Sequence, residues 1–242
     1  MDKLQAEWIK TKRTSLVFLL IFTAFLSNFL SYLLNRQYFV QMSLNTFYEF
    51  IYPLFLLLAV LHIFSTSERK NKNMIVVLGS SNLGETYLAK FIVSCIYVFL
   101  GIVVYILFLS LGSFLGRVPL DYGQVFLGMG LLWISGIFLI SMEAFLCQWL
   151  PPFLSFGVLF LANTLSSVFY DKWPIWYMNP FATPSVLMID ALKILPNGLS
   201  YSQSSPFSSF REKGWALGIS LFLFLIFYFL GRESYKKKEG NI

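Results

Sequence analysis

The side chains that could carry acid–base, metal or nucleophilic chemistry are few in this chain. His62 is its single histidine, and one imidazole without Cys, Asp or Glu at ligand spacing does not build a metal site. We interpret it as a histidine on a helix face. The sequence has no Ser–His dyad, no H-E-x-x-H motif and no Walker A motif, so hydrolysis of peptides or nucleotides is not expected. We therefore predict that the chain is not itself an enzyme and holds no metal or cofactor of its own.

One carboxylate remains as a candidate for an intramembrane role. Glu143 lies inside an apolar run, where a charged carboxylate costs about 2.5 to 3.5 kcal/mol on insertion scales unless it is paired or hydrated. It is a candidate intramembrane polar site. The alternative is a residue close enough to the inner boundary to be hydrated or protonated, and both interpretations stay open. Glu49 lies at the outer edge of another run, so we predict that it is a boundary residue.

Composition identifies the environment in which these residues act. The chain of 242 residues is 57% hydrophobic, 19% aromatic and only 12% charged, whereas a soluble domain has about 45 to 50% apolar and about 25% charged residues. Lipid accepts such a surface and water does not. The net charge of +6 comes from basic residues beside apolar runs, which indicates a membrane surface and no nucleic-acid partner. Cys95 and Cys147 lie in apolar stretches and do not suggest a disulfide framework.

Six apolar runs predict an all-α, polytopic membrane helix bundle that forms one transmembrane domain over residues 1–242. Each run is near the ~20 residues that cross a bilayer as a helix. The runs are 16–34, 47–65, 91–115, 125–150, 153–170 and 215–231. Lys and Arg are concentrated at the two ends of the chain and between the second and third runs. The positive-inside rule therefore predicts about six transmembrane helices with both termini in the cytoplasm.

Three segments outside the runs have a pattern of their own. Residues 1–13 place Leu4 and Trp8 at helical spacing among basic residues, which predicts an interfacial helix or, alternatively, a frayed basic tail. Residues 67–90 predict a cytoplasmic loop with a short helix, a turn, and a new helix capped by Asn82 and Glu85. Residues 171–213 predict an extracellular connection, re-entrant or amphipathic, because prolines interrupt its helices.

The last two segments resemble parts of a known family. The loop has Glu68, Arg69, Lys72, an apolar stretch at 74–78, Ser80, Ser81 and the sequence YLAK at 87–90, and the outer segment has WPIWYMNPFATPSVLM at 173–188. Both are similar to the permease subunits of ABC-2 type transporters, and among these to the permeases of lantibiotic self-protection exporters.

That resemblance implies a permease of an ATP-driven exporter in the bacterial plasma membrane. It implies a cytoplasmic ABC ATPase dimer that binds ATP and Mg²⁺, a second permease subunit, identical or related, and a hydrophobic or cationic peptide as cargo. The residues that it assigns to ATPase coupling are Glu68, Arg69, Lys72, Met74, Val77, Leu78 and Ser81. Trp173, Trp176 and Tyr177 are candidate contacts with cargo in the outer leaflet, although boundary anchoring explains these aromatic residues equally well.

Two other functions stay open at this point. One is the membrane component that binds substrate in a vitamin or metal importer, which would have a tight pocket for a small ligand. The other is a membrane scaffold without transport activity.

Overall fold

The computed structural model describes five stretches of the chain, and every element within them is a helix. The stretches are residues 3–12, 14–66, 83–170, 175–195 and 209–237. Five of their helices are long and apolar enough to cross a membrane, namely Leu16–Leu34, Phe39–Phe64, Leu83–Gly116, Tyr122–Leu146 and Phe210–Lys237. The chain is therefore an all-α, multi-pass membrane helix bundle, as its composition predicts.

Within these stretches we number nine α-helices in chain order. They are α1 Lys3–Lys12, α2 Leu16–Leu34, α3 Phe39–Thr46, α4 Tyr52–Leu61, α5 Leu83–Gly116, α6 Tyr122–Leu146, α7 Pro152–Val168, α8 Thr183–Leu192 and α9 Phe210–Lys237. Two π-helical segments, Phe47–Ile51 and His62–Thr66, continue α3 into α4 and extend α4. The run predicted at 153–170 corresponds to α7, which has 17 residues. That α7 also crosses the membrane stays a prediction.

The central helix of the bundle is α4. Seven of its ten residues are buried, and it contacts α5, α6 and α7. Its approach to α6 is close because residue 136 is glycine: a Cβ there would overlap the hydroxyl of Tyr52. That hydroxyl donates a hydrogen bond to the Leu132 carbonyl at 3.0 Å. The contact between these two helices thus depends on Gly136 and on the hydrogen bond that Tyr52 donates.

The outer helices expose apolar side chains. In α9 only 17% of the most apolar window is buried inside the protein, and Phe222 and Phe229 are among its exposed residues. Phe18 and Phe22 of α2 are likewise exposed and stack on each other. Such surfaces are stable against hydrocarbon, where backbone groups are already paired within each helix.

Candidate functional site

The inward face of α7 is polar. Its four buried residues, Ser155, Leu159, Asn163 and Ser167, recur every four positions. Residues at this spacing lie on one side of a helix. The opposite side exposes apolar residues such as Leu161. Since polar groups inside a membrane bundle need partners on neighbouring helices, this face identifies where α7 meets the rest of the protein.

Two buried carboxylates accept hydrogen bonds from this face. Ser155 Oγ donates to Glu143 Oε1 at 3.0 Å, and Ser167 Oγ donates to Glu49 Oε2. The two serines are more than three turns apart, about 18 Å along the axis. Glu143 is 0% exposed and Glu49 is 1% exposed. In the part of the chain described, Glu49 Oε1 and Glu143 Oε2 have no hydrogen-bond partner.

Glu49 is the residue whose burial the sequence reasoning missed. The helix begins at Phe39, eight residues before the predicted run, so Glu49 lies inside a helix. That it stands at the outer edge of a membrane span stays a prediction. It occupies the π-helical segment Phe47–Ile51, a geometry that is frequent at functional sites. The apolar run begins later than the helix because polar residues precede it and lower the local hydropathy. One of them, Ser43, donates a hydrogen bond from its Oγ to Asn28 Oδ1 at 2.8 Å.

Glu143 lies near the end of α6, which ends at Leu146. Its side chain is enclosed by protein, and the bond to Ser155 is the hydrogen bond that holds it. A role for Glu143 as an intramembrane polar site stays a prediction, but its hydrogen bond from the inward face of α7 is one that it shares with Glu49.

The helices on either side of the predicted coupling loop are joined directly. Lys90 of α5 is fully buried, and its Nζ donates to the Ile63 carbonyl at 3.1 Å and lies 5.7 Å from the ring centroid of Phe64. The predicted coupling residues Glu68, Arg69, Lys72, Met74, Val77, Leu78 and Ser81 lie outside the described residues. The helical segment before this loop and the third turn of the helix after it are thus bonded to each other.

An aromatic cluster connects the same region to α9. The Tyr87 ring lies 5.4 Å from Phe64, 5.6 Å from Tyr228 and 5.7 Å from Tyr235, between centroids. Gly231 allows this approach, because a Cβ there would overlap the Tyr87 hydroxyl. The start of α5 is therefore packed directly against α9 through these rings.

The first helix is attached to α5 as well. The Trp8 and Tyr97 ring centroids are 5.3 Å apart, and Lys3 Nζ lies 3.0 Å from Glu85 Oε2. The predicted helix within residues 1–13 is thus present as α1, packed on the start of α5. Its location at a membrane interface stays a prediction.

The aromatic segment after α7 is only partly exposed. Trp173 lies outside the described residues, whereas Trp176 is buried in a cluster that includes Val186 of α8 and Ala216 of α9. Tyr177 packs edge-on against Trp176 with 6.2 Å between centroids and remains half-exposed. Eight of the ten residues of α8 are buried. Of the two described aromatic residues, Trp176 anchors the segment and Tyr177 keeps an accessible edge.

No protein-family model, curated protein or solved structure matches this chain significantly. The fold defines it as a multi-pass, all-helical membrane protein. Its described interior contains a polar helix face with two carboxylates, and a bonded pair of helix ends next to the predicted coupling loop.

Proposed function

We propose that this chain is the membrane-spanning permease subunit of an ATP-driven exporter of ABC-2 type in the bacterial plasma membrane. In this proposal it has six spans with both termini in the cytoplasm. A separate ATPase dimer hydrolyses ATP with Mg²⁺, and a second permease, identical or related, completes the translocation path. The cargo is a hydrophobic or cationic peptide, such as a lantibiotic against which the cell protects itself.

The observation that carries the proposal is the bond between Lys90 and Ile63. A coupling loop can drive a permease only if its displacement reaches the spans instead of being absorbed by flexible connections. Here the two helix ends that flank residues 67–82 are bonded to each other, and Tyr87 connects them to α9. An ATPase that displaced the loop would thus move three helices together. It would shift the conformational equilibrium only as far as nucleotide favours one state over the other.

Co-purification tests the partner. We expect an ATPase encoded beside this chain to co-purify with it, and to be lost when Met74, Val77 and Leu78 are changed together to Asp. The matched control is Arg117→Asp, which alters charge on the exposed connection between α5 and α6. Retention of the ATPase by the triple variant, or its equal loss from the control, would contradict the assignment of this loop.

Labelling tests the side of the membrane. In a variant with Cys95 and Cys147 replaced by Ala, a single cysteine introduced by Ser81→Cys should react with an impermeant maleimide only after the cells are permeabilised. Reaction in intact cells would place the loop outside and overturn the proposal. Deletion of the chain followed by exposure to membrane-active peptides tests the cargo, and unchanged sensitivity to all of them would remove the self-protection role.

A further inference from the structure

Acceptor oxygens without donors accumulate at one end of the inward face of α7. Asn163 is 2% exposed, and within the described residues neither its Oδ1 nor Glu49 Oε1 has a hydrogen-bond partner. Asn163 precedes Ser167 by one turn, so its Cβ is about 5 to 6 Å from that of the serine that binds Glu49. The helix face that presents Ser167 to the carboxylate thus presents the Asn163 amide as well.

A partner that carries positive charge or donates protons would satisfy both of these oxygens. A buried acceptor without a hydrogen bond is destabilising, and more so when it is charged. An anion is disfavoured beside a carboxylate, and the two buried side-chain atoms without a partner here, Glu49 Oε1 and Asn163 Oδ1, are both oxygens. Carboxylate, amide and hydroxyl oxygens are hard ligands that suit cations without a preference for nitrogen or sulfur. A single carboxylate balances a single positive charge.

The π-helical segment places the carboxylate where it can serve as a ligand. The extra residue in its turn interrupts the regular ladder of α3 and α4, and such bulges occur often where a side chain must be directed into a site. The segment contacts α7 directly. Glu49 therefore faces the polar residues of α7 and not the lipid.

We propose that Glu49, Asn163 and Ser167 form a binding site for one monovalent cation, either an alkali-metal ion or a primary ammonium group. The site lies between the π-helical segment Phe47–Ile51 and α7. The carboxylate supplies the charge, and the amide and hydroxyl oxygens supply two further ligands. This site does not depend on the chain being an exporter.

Glu143 provides an internal comparison. It is equally buried and accepts an equivalent bond from Ser155, but one turn further along α7 the inward residue is Leu159 instead of an amide. A cation at Glu143 would lack the amide oxygen that Asn163 supplies at Glu49. Glu143 is therefore the matched control for Glu49.

The test is the midpoint of thermal denaturation of the purified full-length chain in lipid nanodiscs at constant ionic strength. Choline chloride is replaced stepwise by sodium, potassium or methylammonium chloride. Binding to the folded state raises the midpoint in proportion to the logarithm of ligand concentration above saturation. We expect this rise in the native chain and in Glu143→Gln. We expect it to be absent in Glu49→Gln, whose amide N–H also supplies the missing donor and raises the midpoint in choline.

Asn163→Leu is the second variant. It keeps the carboxylate but removes the amide oxygen, and should weaken the apparent affinity about tenfold, since one hydrogen-bond equivalent is worth about 1.4 kcal/mol. A response to sodium or potassium alone identifies a metal ion, and a response to methylammonium alone identifies an ammonium group. No response to any of the three salts would overturn the proposal, as would an undiminished response in Glu49→Gln and Asn163→Leu or an equal loss in Glu143→Gln.

Discussion

Lys90 of α5 donates a hydrogen bond to the carbonyl oxygen of Ile63, in the π-helical segment that extends α4. The lysine is completely buried, which is rare for this residue type unless it is paired. Its bond fixes the relative position of two helix ends independently of the residues that connect them along the chain.

Replacing this lysine should destabilise the bundle. Lys90→Met keeps an unbranched side chain but removes the donor, so we expect the free energy of unfolding to fall by about 1 to 3 kcal/mol. Lys236→Met is the control, because the Lys236 ammonium group also donates a hydrogen bond, to the Glu233 carboxylate at 2.6 Å, but at an exposed position. Denaturation in detergent measures both variants, and equal effects would show that the buried bond contributes nothing specific.

Gly231 should not tolerate a methyl group. Its Cβ would overlap the Tyr87 hydroxyl and lie 2.9 Å from the ring carbon Cζ, so we expect Gly231→Ala to destabilise by about 1 to 3 kcal/mol through overpacking. Gly218→Ala, in the same helix with nothing within 4 Å of the added atom, should be neutral or stabilising because alanine favours helix.

Removing the Tyr87 hydroxyl should partly rescue Gly231→Ala. It has no hydrogen-bond partner in the described residues, so Tyr87→Phe alone should have little effect. Combined with Gly231→Ala it should restore part of the lost stability, which a double-mutant cycle measures as a non-zero coupling energy. Strict additivity of the two changes would contradict the observed contact.

Ser155→Ala should expose the dependence of α7 on its polar partners. Both oxygens of Glu143 would then lack a donor, and we expect a loss of about 1 to 3 kcal/mol. Ser110→Ala is the control, since Ser110 Oγ bonds only the Ile106 carbonyl of its own helix. Thermal midpoints of the two variants should separate clearly, and a control as damaging as Ser155→Ala would refute the argument.

The attachment of α1 should depend on its aromatic contact more than on its ion pair. Trp8→Ala removes the ring that packs on Tyr97, whereas Lys3→Gln removes a pair whose acidic partner is 59% exposed and therefore weak. We expect faster hydrogen exchange throughout α1 in the first variant and little change in the second. The reverse order would show that charge holds this helix.

The spans are predictable from the sequence, but not all of their limits. The run at 16–34 coincides with α2, because it is bounded by polar residues on both sides. The run at 47–65 omits α3, since Gln41, Ser43 and Asn45 lower its hydropathy. Those residues lie inside a helix nevertheless, and Ser43 is paired with Asn28 and Tyr105. Hydropathy measures transfer to lipid and does not detect polar groups that are satisfied within the protein.

The polar face of α7 is visible in the sequence as a four-residue spacing, whereas its partners are not. Ser167 and Glu49 are 118 positions apart, and nothing local associates them. The π-helical segment that directs Glu49 has no signature in composition. The sequence identifies Glu143 because inserting a carboxylate within an apolar run into lipid costs free energy wherever the side chain points. Its partner Ser155 can be identified only from the fold.

The length of α7 has a consequence for the surrounding lipid. Its 17 residues amount to about 25 Å, against about 30 Å of hydrocarbon. In the six-span arrangement the bilayer must become thinner along this flank to match the short helix. Headgroups and their water then approach the midplane beside α7 more closely than beside the 34-residue α5. In that arrangement the membrane would be thinnest on the side where the interior of the protein is most polar.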